Sequence, residues 1–219
     1  MKKAKMLSLT AGLVLAITFT LSCSSNDPED NSGGGSVKNI TVDFIYNRNT
    51  MTCNDDGCSG EKWIGNGTVR MEACDDDGLY VGEIVNGTLS LNLPSTSEIP
   101  QSCFYNATQV FEGASVSQSD VKIVWGDYDF NVDGIGNDGN PYNILKFETQ
   151  AGWQNATERV RGRYFYFSKA ARITGGDYNI NASEGWNEVY FIGNSSRATT
   201  DLSTIGGIKP IWYIYNSED

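Results

Sequence analysis

The 219-residue chain contains no histidine. That removes the Ser-His-Asp and Cys-His catalytic arrangements and every histidine metal site. It also lacks a Gly-x-Ser-x-Gly nucleophile elbow and a glycine-rich phosphate loop. Proline is scarce, with five residues, yet helical periodicity is almost missing. Residues 98–109 and 155–160 have room for a turn or two of helix and no more. Basic residues are in deficit: 16 Lys and Arg stand against 27 Asp and Glu, a formal net charge of −11. A surface of that sign repels phosphate backbones, so nucleic acid is not an expected partner. Paired carboxylates, as in a glycosidase, are the catalytic chemistry left open, and 27 acidic residues do not single out a pair.

The N-terminal stretch carries the first positive signal. Lys2, Lys3 and Lys5 are followed by residues 6–21, apolar apart from Ser8, Thr10, Thr18 and Thr20. The run has the length of a signal-peptide core and falls short of the ~20 clean apolar residues of a spanning helix. Thr20, Leu21, Ser22 and Cys23 then stand where a small-residue cleavage site belongs. This resembles the lipobox of bacterial lipoproteins, in which the cysteine is acylated, with palmitate among the acyl groups, and the chain is cut just before it. It departs from that pattern at Thr20, where the family usually has Leu. The resemblance implies a signal peptide over 1–22, a lipidated Cys23 and attachment to a membrane through the anchor. Several acyl chains hold a protein stably where one is marginal. Ser24 after the cysteine resembles the sorting pattern for the outer membrane. Asp27, Glu29 and Asp30 resemble the surface-export signals of Bacteroidetes lipoproteins.

Residues 24–36 are rich in Ser, Asn, Gly and acid and read as a flexible tether. Residues 37–219 are long enough to bury a core and are expected to form one domain. Loss of the three signal lysines leaves 13 basic residues against 27 acidic ones, about −14 in all, a charge compatible with cations. Beyond Cys23 there are four cysteines, Cys53, Cys58, Cys74 and Cys103. An even number in an exported chain argues for two disulfides. Three pairings are open. The favoured one closes the turn between Cys53 and Cys58 and joins Cys74 to Cys103. The rival, structural zinc, is disfavoured because there is no CxxC pair.

The rest reads as strands and turns. Extended runs are expected at 37–46, 63–73, 79–93, 103–111, 121–125, 143–150, 161–168, 188–192 and 209–215. Asn66-Gly67 and Asn86-Gly87 are hairpin signals, since both central residues of a type I′ turn need positive φ. The second is the better one. In 161–168, Tyr164 and Tyr166 share one face and Phe165 and Phe167 the other. The expected fold is all-β, an antiparallel β-sandwich or barrel of about 9–12 strands.

Two features point to function. Read from Asp129, the sequence Asp-Phe-Asn-Val-Asp-Gly matches the start of an EF-hand-type calcium loop, with Asp129, Asn131, Asp133 and the Ile135 carbonyl as ligands. The twelfth position is Asn140, where that motif has a bidentate Glu. Among the aromatics, Tyr164, Tyr166, Tyr213 and Tyr215 are candidates for a flat platform that takes a glycan or a protein segment. Gly185-Trp186-Asn187-Glu188-Val189-Tyr190, with Thr199, Thr200 and 207–212, resembles C-terminal segments of β-rich bacterial surface lipoproteins, a likeness that implies class and no activity. The expectation is a lipid-anchored envelope protein with a non-catalytic binding or structural role, calcium-stabilised if the acidic loop is a metal site. The alternative is an envelope glycosidase.

Overall fold

The computed structural model describes residues 38–54, 57–73, 75–126, 129–135, 142–149, 159–193 and 197–216. The signal stretch, the lipobox with Cys23 and the tether lie outside them. The strands are β1 (Asn39–Val42), β2 (Tyr46–Asn47), β3 (Thr52–Asn54), β4 (Gly57–Ser59), β5 (Asn66–Ala73), β6 (Asp75–Val85), β7 (Thr88–Asn92), β8 (Tyr105–Asn106), β9 (Ser115–Val116), β10 (Lys122–Trp125), β11 (Asp129–Ile135), β12 (Tyr142–Glu148), β13 (Val160–Phe167), β14 (Ala171–Gly175), β15 (Tyr178–Ala182), β16 (Gly185–Ile192), β17 (Ala198–Thr199) and β18 (Ile211–Asn216). The fold is all-β, as expected. Twelve of these strands have four residues or more. The only α-helical turn among the described residues is α1 (Ala107–Val110), capped by Asn106 and Gln109 in place of the expected end of a strand.

One mostly antiparallel sheet runs β1-β7-β6-β5-β11-β12-β13-β16-β17-β15-β14-β9, with β18 beside β12 and β2 beside β18, and β10 beside β13 and β8 beside β10. The β6–β7 hairpin turns at Asn86 (φ 51°) and Gly87 (φ 71°), pairing Val85 with Thr88. This is the type I′ geometry that Asn-Gly supplies without steric cost. Asn66-Gly67 differs from expectation: it opens β5, and Asn66 Oδ1 accepts the Asn86 backbone N–H at 2.8 Å, steadying the other turn.

Alternation along β13 sorts its side chains into two cores. Val160, Tyr164 and Tyr166 point inward to a large core with Val69, Met71, Leu89, Leu91, Phe130, Leu145, Phe147, Trp186, Trp212 and Ile214. Phe165 and Phe167 point outward to a second core with Phe111, Ile123, Ile173, Ile180 and Val189. A strand buried on both faces reads as a continuous aromatic run, which is why 161–168 looks so β-prone. Every long strand from β5 to β7, β11 to β13, β16 and β18 contributes to the inner core. The sheet therefore curls, and its β1–β7 end meets β13 and β16. The gap is bridged by side chains. Trp186 Nε1 donates to the Pro94 carbonyl at 2.7 Å, Lys38 Nζ lies 3.3 Å from Glu188 Oε1, and Thr96 meets the Tyr166 hydroxyl.

The second core is a layer laid on the outside of this curl. Hairpin β14–β15 and α1 supply Ile173, Ile180, Ala171, Ala182 and Ala107 over the outer faces of β10, β13 and β16. Among the described residues none from β12 or β18 belongs to it. The outer face of those two strands is thus left for something else.

Candidate ligand cavity

In β12 and β18, Leu145, Phe147, Trp212 and Ile214 go to the inner core. The alternate residues point outward. Antiparallel register sets Lys146 opposite Tyr213 and Ile144 opposite Tyr215, and puts Glu148 opposite Ile211 on one side and Arg161 on the other. Strand β18 also pairs with β2, Tyr213 opposite Tyr46, and the 3-10 turn Arg48–Thr50 follows β2 directly. These elements, with Arg159 just before β13, border an open cavity of ≈ 600 Å³ lined by Arg48, Asn49, Lys146, Glu148, Arg159, Tyr213 and Tyr215.

Its charges are layered. Glu148 is 3% exposed; the Tyr213 hydroxyl donates to Oε1, and Arg159 Nε lies 3.8 Å from Oε2. The buried carboxylate is stabilised by a hydrogen bond at one oxygen and by the facing guanidinium at the other. Lys146 reaches solvent, with its ammonium 3.2 Å from Asp129 Oδ1 and 5.2 Å from the centre of the Tyr215 ring. Burial works against that charge. Asp129, then Glu148 and Tyr215, outweigh burial and hold the amine above its usual value, so it stays protonated at neutral pH.

The expected site residues fall in different places. Tyr164 and Tyr166 are buried on the inner face, so they present no platform to solvent. Phe147 and Trp212 stack near Tyr164, and Phe104 and Trp186 pack edge-on to Tyr166. Tyr213 and Tyr215 are on the opposite face of the sheet and line the cavity, Tyr213 fully buried at its floor and Tyr215 half-buried in its wall. The four tyrosines are split because inner and outer faces alternate with a period of two.

The acidic run is a strand where a loop was expected. Asp129, Asn131 and Asp133 lie on one face of β11, paired with Lys146, Ile144 and Tyr142 of β12. Asp133 Oδ2 is 3.2 Å from Arg70 Nε, and Asp129 is held by Lys146. In this strand Asp129 and Asp133 each face a cationic partner. Positions 136–141 lie outside the described residues, and among the described residues no three His, Cys, Asp or Glu side chains cluster.

The Cys53–Cys58 disulfide is present, linking directly opposed residues of β3 and β4. Cys103 is buried and disulfide-bonded; Cys74, its expected partner, lies outside the described residues. Arg48, Lys146, Glu148 and Arg159 were not singled out from sequence. A signal for two of them is there: Lys146 and Glu148 alternate with Leu145 and Phe147, a pattern that marks a strand with one charged outer face. Comparison with protein-family models, with curated proteins and with solved structures finds no match to this chain.

Proposed function

We propose that this chain is a lipid-anchored protein of the bacterial outer membrane whose domain binds a ligand, without catalysis, in the cavity on the outer face of β12 and β18. The observation that carries the binding role is the cavity itself. Its ≈ 600 Å³ falls within the range of about 300–1,000 Å³ typical of small-molecule sites. Its wall combines two tyrosines with a few charged and amide groups, the mixture that fixes a polar ligand's orientation. The anchor is supported by Cys23 and the apolar run before it.

The non-catalytic reading over a glycosidase rests on the carboxylates. A two-carboxylate mechanism needs a pair about 5–9.5 Å apart flanking the bond to be cut. Among the described residues Glu148 is the one carboxylate in the cavity wall, with one oxygen hydrogen-bonded by Tyr213 and the other facing Arg159. Two measurements test the proposal. Metabolic labelling with a palmitate analogue should mark the wild-type chain and fail in Cys23→Ala. A saccharide and peptide binding screen of the full chain in detergent should yield a ligand whose binding is lost in Tyr215→Ala. A screen whose hits are unaffected by Tyr215→Ala removes the cavity as the site.

A further inference from the structure

We propose that the chain carries a second ligand site, on the outward face of hairpin β14–β15, which takes a neutral oligosaccharide through hydrogen bonds to its hydroxyl groups. The site is separate from the cavity at β12 and β18 and does not depend on the reading of that cavity.

The hairpin has two faces. Ala171, Ile173, Ile180 and Ala182 are buried in the second core. The alternate residues point away from it. Register sets Arg172 opposite Asn181 and Thr174 opposite Asn179, so these polar side chains share one face. On the far side of β15 runs β17, in parallel, with Asn179 opposite Thr199, and the chain goes on to Thr200 and Asp201. These segments border an open cavity of ≈ 530 Å³, lined among the described residues by Arg172, Asn179, Asn181, Thr200 and Asp201.

Part of this wall is locked. The Thr200 hydroxyl accepts the Asn181 backbone N–H at 2.9 Å. Asp201 Oδ1 accepts the backbone N–H and the hydroxyl of Ser203 at 2.9 and 2.7 Å. The other heads are unpaired. Among the described residues, the Arg172 guanidinium and the side-chain amides of Asn179 and Asn181 have no hydrogen-bond or ionic partner. Their backbone is nevertheless fixed, because β15 is bonded to a strand on each side and its opposite face is packed. Polar groups that converge on one concavity from a rigid strand lose little freedom when a ligand arrives.

The chemistry of the wall selects the ligand. A guanidinium presents a planar fork of donors, and each amide presents donor and acceptor side by side. Paired hydroxyls of a sugar ring match both. Asn179 and Asn181 are two strand residues apart, about 7 Å, so the amides form a row that suits successive units of a chain better than one small molecule. Hydrogen bonds from Ser203 hold the Asp201 carboxyl below its ordinary value, and it is charged at neutral pH. Arg172 and Asp201 both border the cavity. An ion of either sign therefore meets a like charge there, and a neutral ligand does not.

Titration of the full chain in a polyoxyethylene detergent, read by saturation-transfer NMR and calorimetry, tests this. The probes are maltohexaose, cellohexaose, xylohexaose and mannohexaose, with hexagalacturonate and free amino acids as charged controls. At least one neutral hexaose should bind with a Kd of about 1 mM or tighter. Arg172→Met and Asn181→Ala should each weaken it about threefold or more, the loss of a hydrogen bond or two, and Tyr215→Ala should leave it unchanged. Circular dichroism melts establish that each variant is folded. Hexaose binding that survives both Arg172→Met and Asn181→Ala overturns the proposal, and its loss in Tyr215→Ala assigns that binding to the other cavity. Preference for hexagalacturonate or for amino acids overturns the neutral class and the proposal with it. No binding of any hexaose at about 10 mM overturns it as well.

Discussion

Lys38 and Glu188, 150 residues apart in sequence, meet at 3.3 Å across the gap where the curled sheet fails to close on itself. Glu188 is the centre of a small buried network. Tyr190 donates to Oε2 at 2.5 Å, Tyr164 donates to Oε1 at 3.2 Å, and Lys209 Nζ lies 3.9 Å from Oε2. Lys38 also sits 5.2 Å over the Tyr164 ring. Burial alone would raise the Glu188 carboxyl. Lys38, the Tyr190 hydroxyl and Lys209 together outweigh burial and hold it below its ordinary value.

A carboxyl depressed in the folded state contributes stability above its unfolded pKa, and that contribution is lost as pH falls through the folded value. The domain should therefore lose stability below about pH 4.3, the ordinary Glu range. Glu188→Gln should flatten that part of the profile and cost about 1.5–3 kcal/mol at neutral pH, the worth of hydrogen bonds to a charged group. Urea melts between pH 2.5 and 7 check both.

At the alkaline end the sign is reversed. Burial and then Glu188 push the Tyr164 and Tyr190 hydroxyls up, so they remain neutral donors to the carboxylate. A raised pKa contributes stability below the unfolded value and loses it as pH rises through the folded one. Stability should fall above about pH 10, where unfolded tyrosine ionises. Tyr190→Phe should remove part of that fall, read from urea melts between pH 8 and 11.

Gly162 is packed where no side chain fits. A Cβ there would lie 2.3 Å from the Phe147 ring, which is stacked on Trp212 with centres 4.6 Å apart and has no room to retreat. Gly162→Ala should destabilise by about 1–3 kcal/mol, the usual cost of overpacking a dense core. Chemical denaturation measures this, and Arg163→Ala next to it should cost less.

The Cys53–Cys58 disulfide closes a loop of only five residues' separation. Chain-entropy arguments give a loop that short about 2 kcal/mol. Replacing both cysteines with serine should lower the melting midpoint modestly and leave the far-ultraviolet spectrum unchanged, because β3 and β4 form a separate two-stranded sheet. Tyr46, whose hydroxyl donates to the Cys58 carbonyl at 3.1 Å, keeps this ribbon attached.

The floor of the cavity yields a further test. Tyr213→Phe removes the hydroxyl from Glu148 and leaves a buried carboxylate with a hydrogen bond fewer. The expected cost is about 1–3 kcal/mol. Glu148→Gln in the same background should recover part of it, since a neutral amide is cheaper to bury than a poorly met charge. The double-mutant cycle gives the coupling directly.

Much of the fold was legible before any coordinates. Short-range chemistry set the β6–β7 turn at Asn86-Gly87, the alternation of Tyr164 and Tyr166 with Phe165 and Phe167, and the pairing of Cys53 with Cys58, close in sequence. Each depends on neighbours in sequence and on the period of a strand. The reading failed where context decides. Asp129 to Gly134 has turn-like composition, yet it runs as a strand because β5 and β12 offer backbone partners on both sides and Arg70 and Lys146 meet its carboxylates. Tyr164 and Tyr213 are equally aromatic and equally strand-prone, and nothing local says that they face opposite sides of one sheet.

The sequence by itself determined the fold class and the strand periodicity of this protein, because propensity, turn residues and alternation are properties of adjacent residues. Tertiary structure alone decided which face of each strand would be covered. Whether an outward residue meets a second layer, as Phe165 does, or lines an open cavity, as Tyr215 does, depends on how far hairpin β14–β15 reaches across the sheet. That reach is set by packing between segments distant in sequence, and no local pattern encodes it.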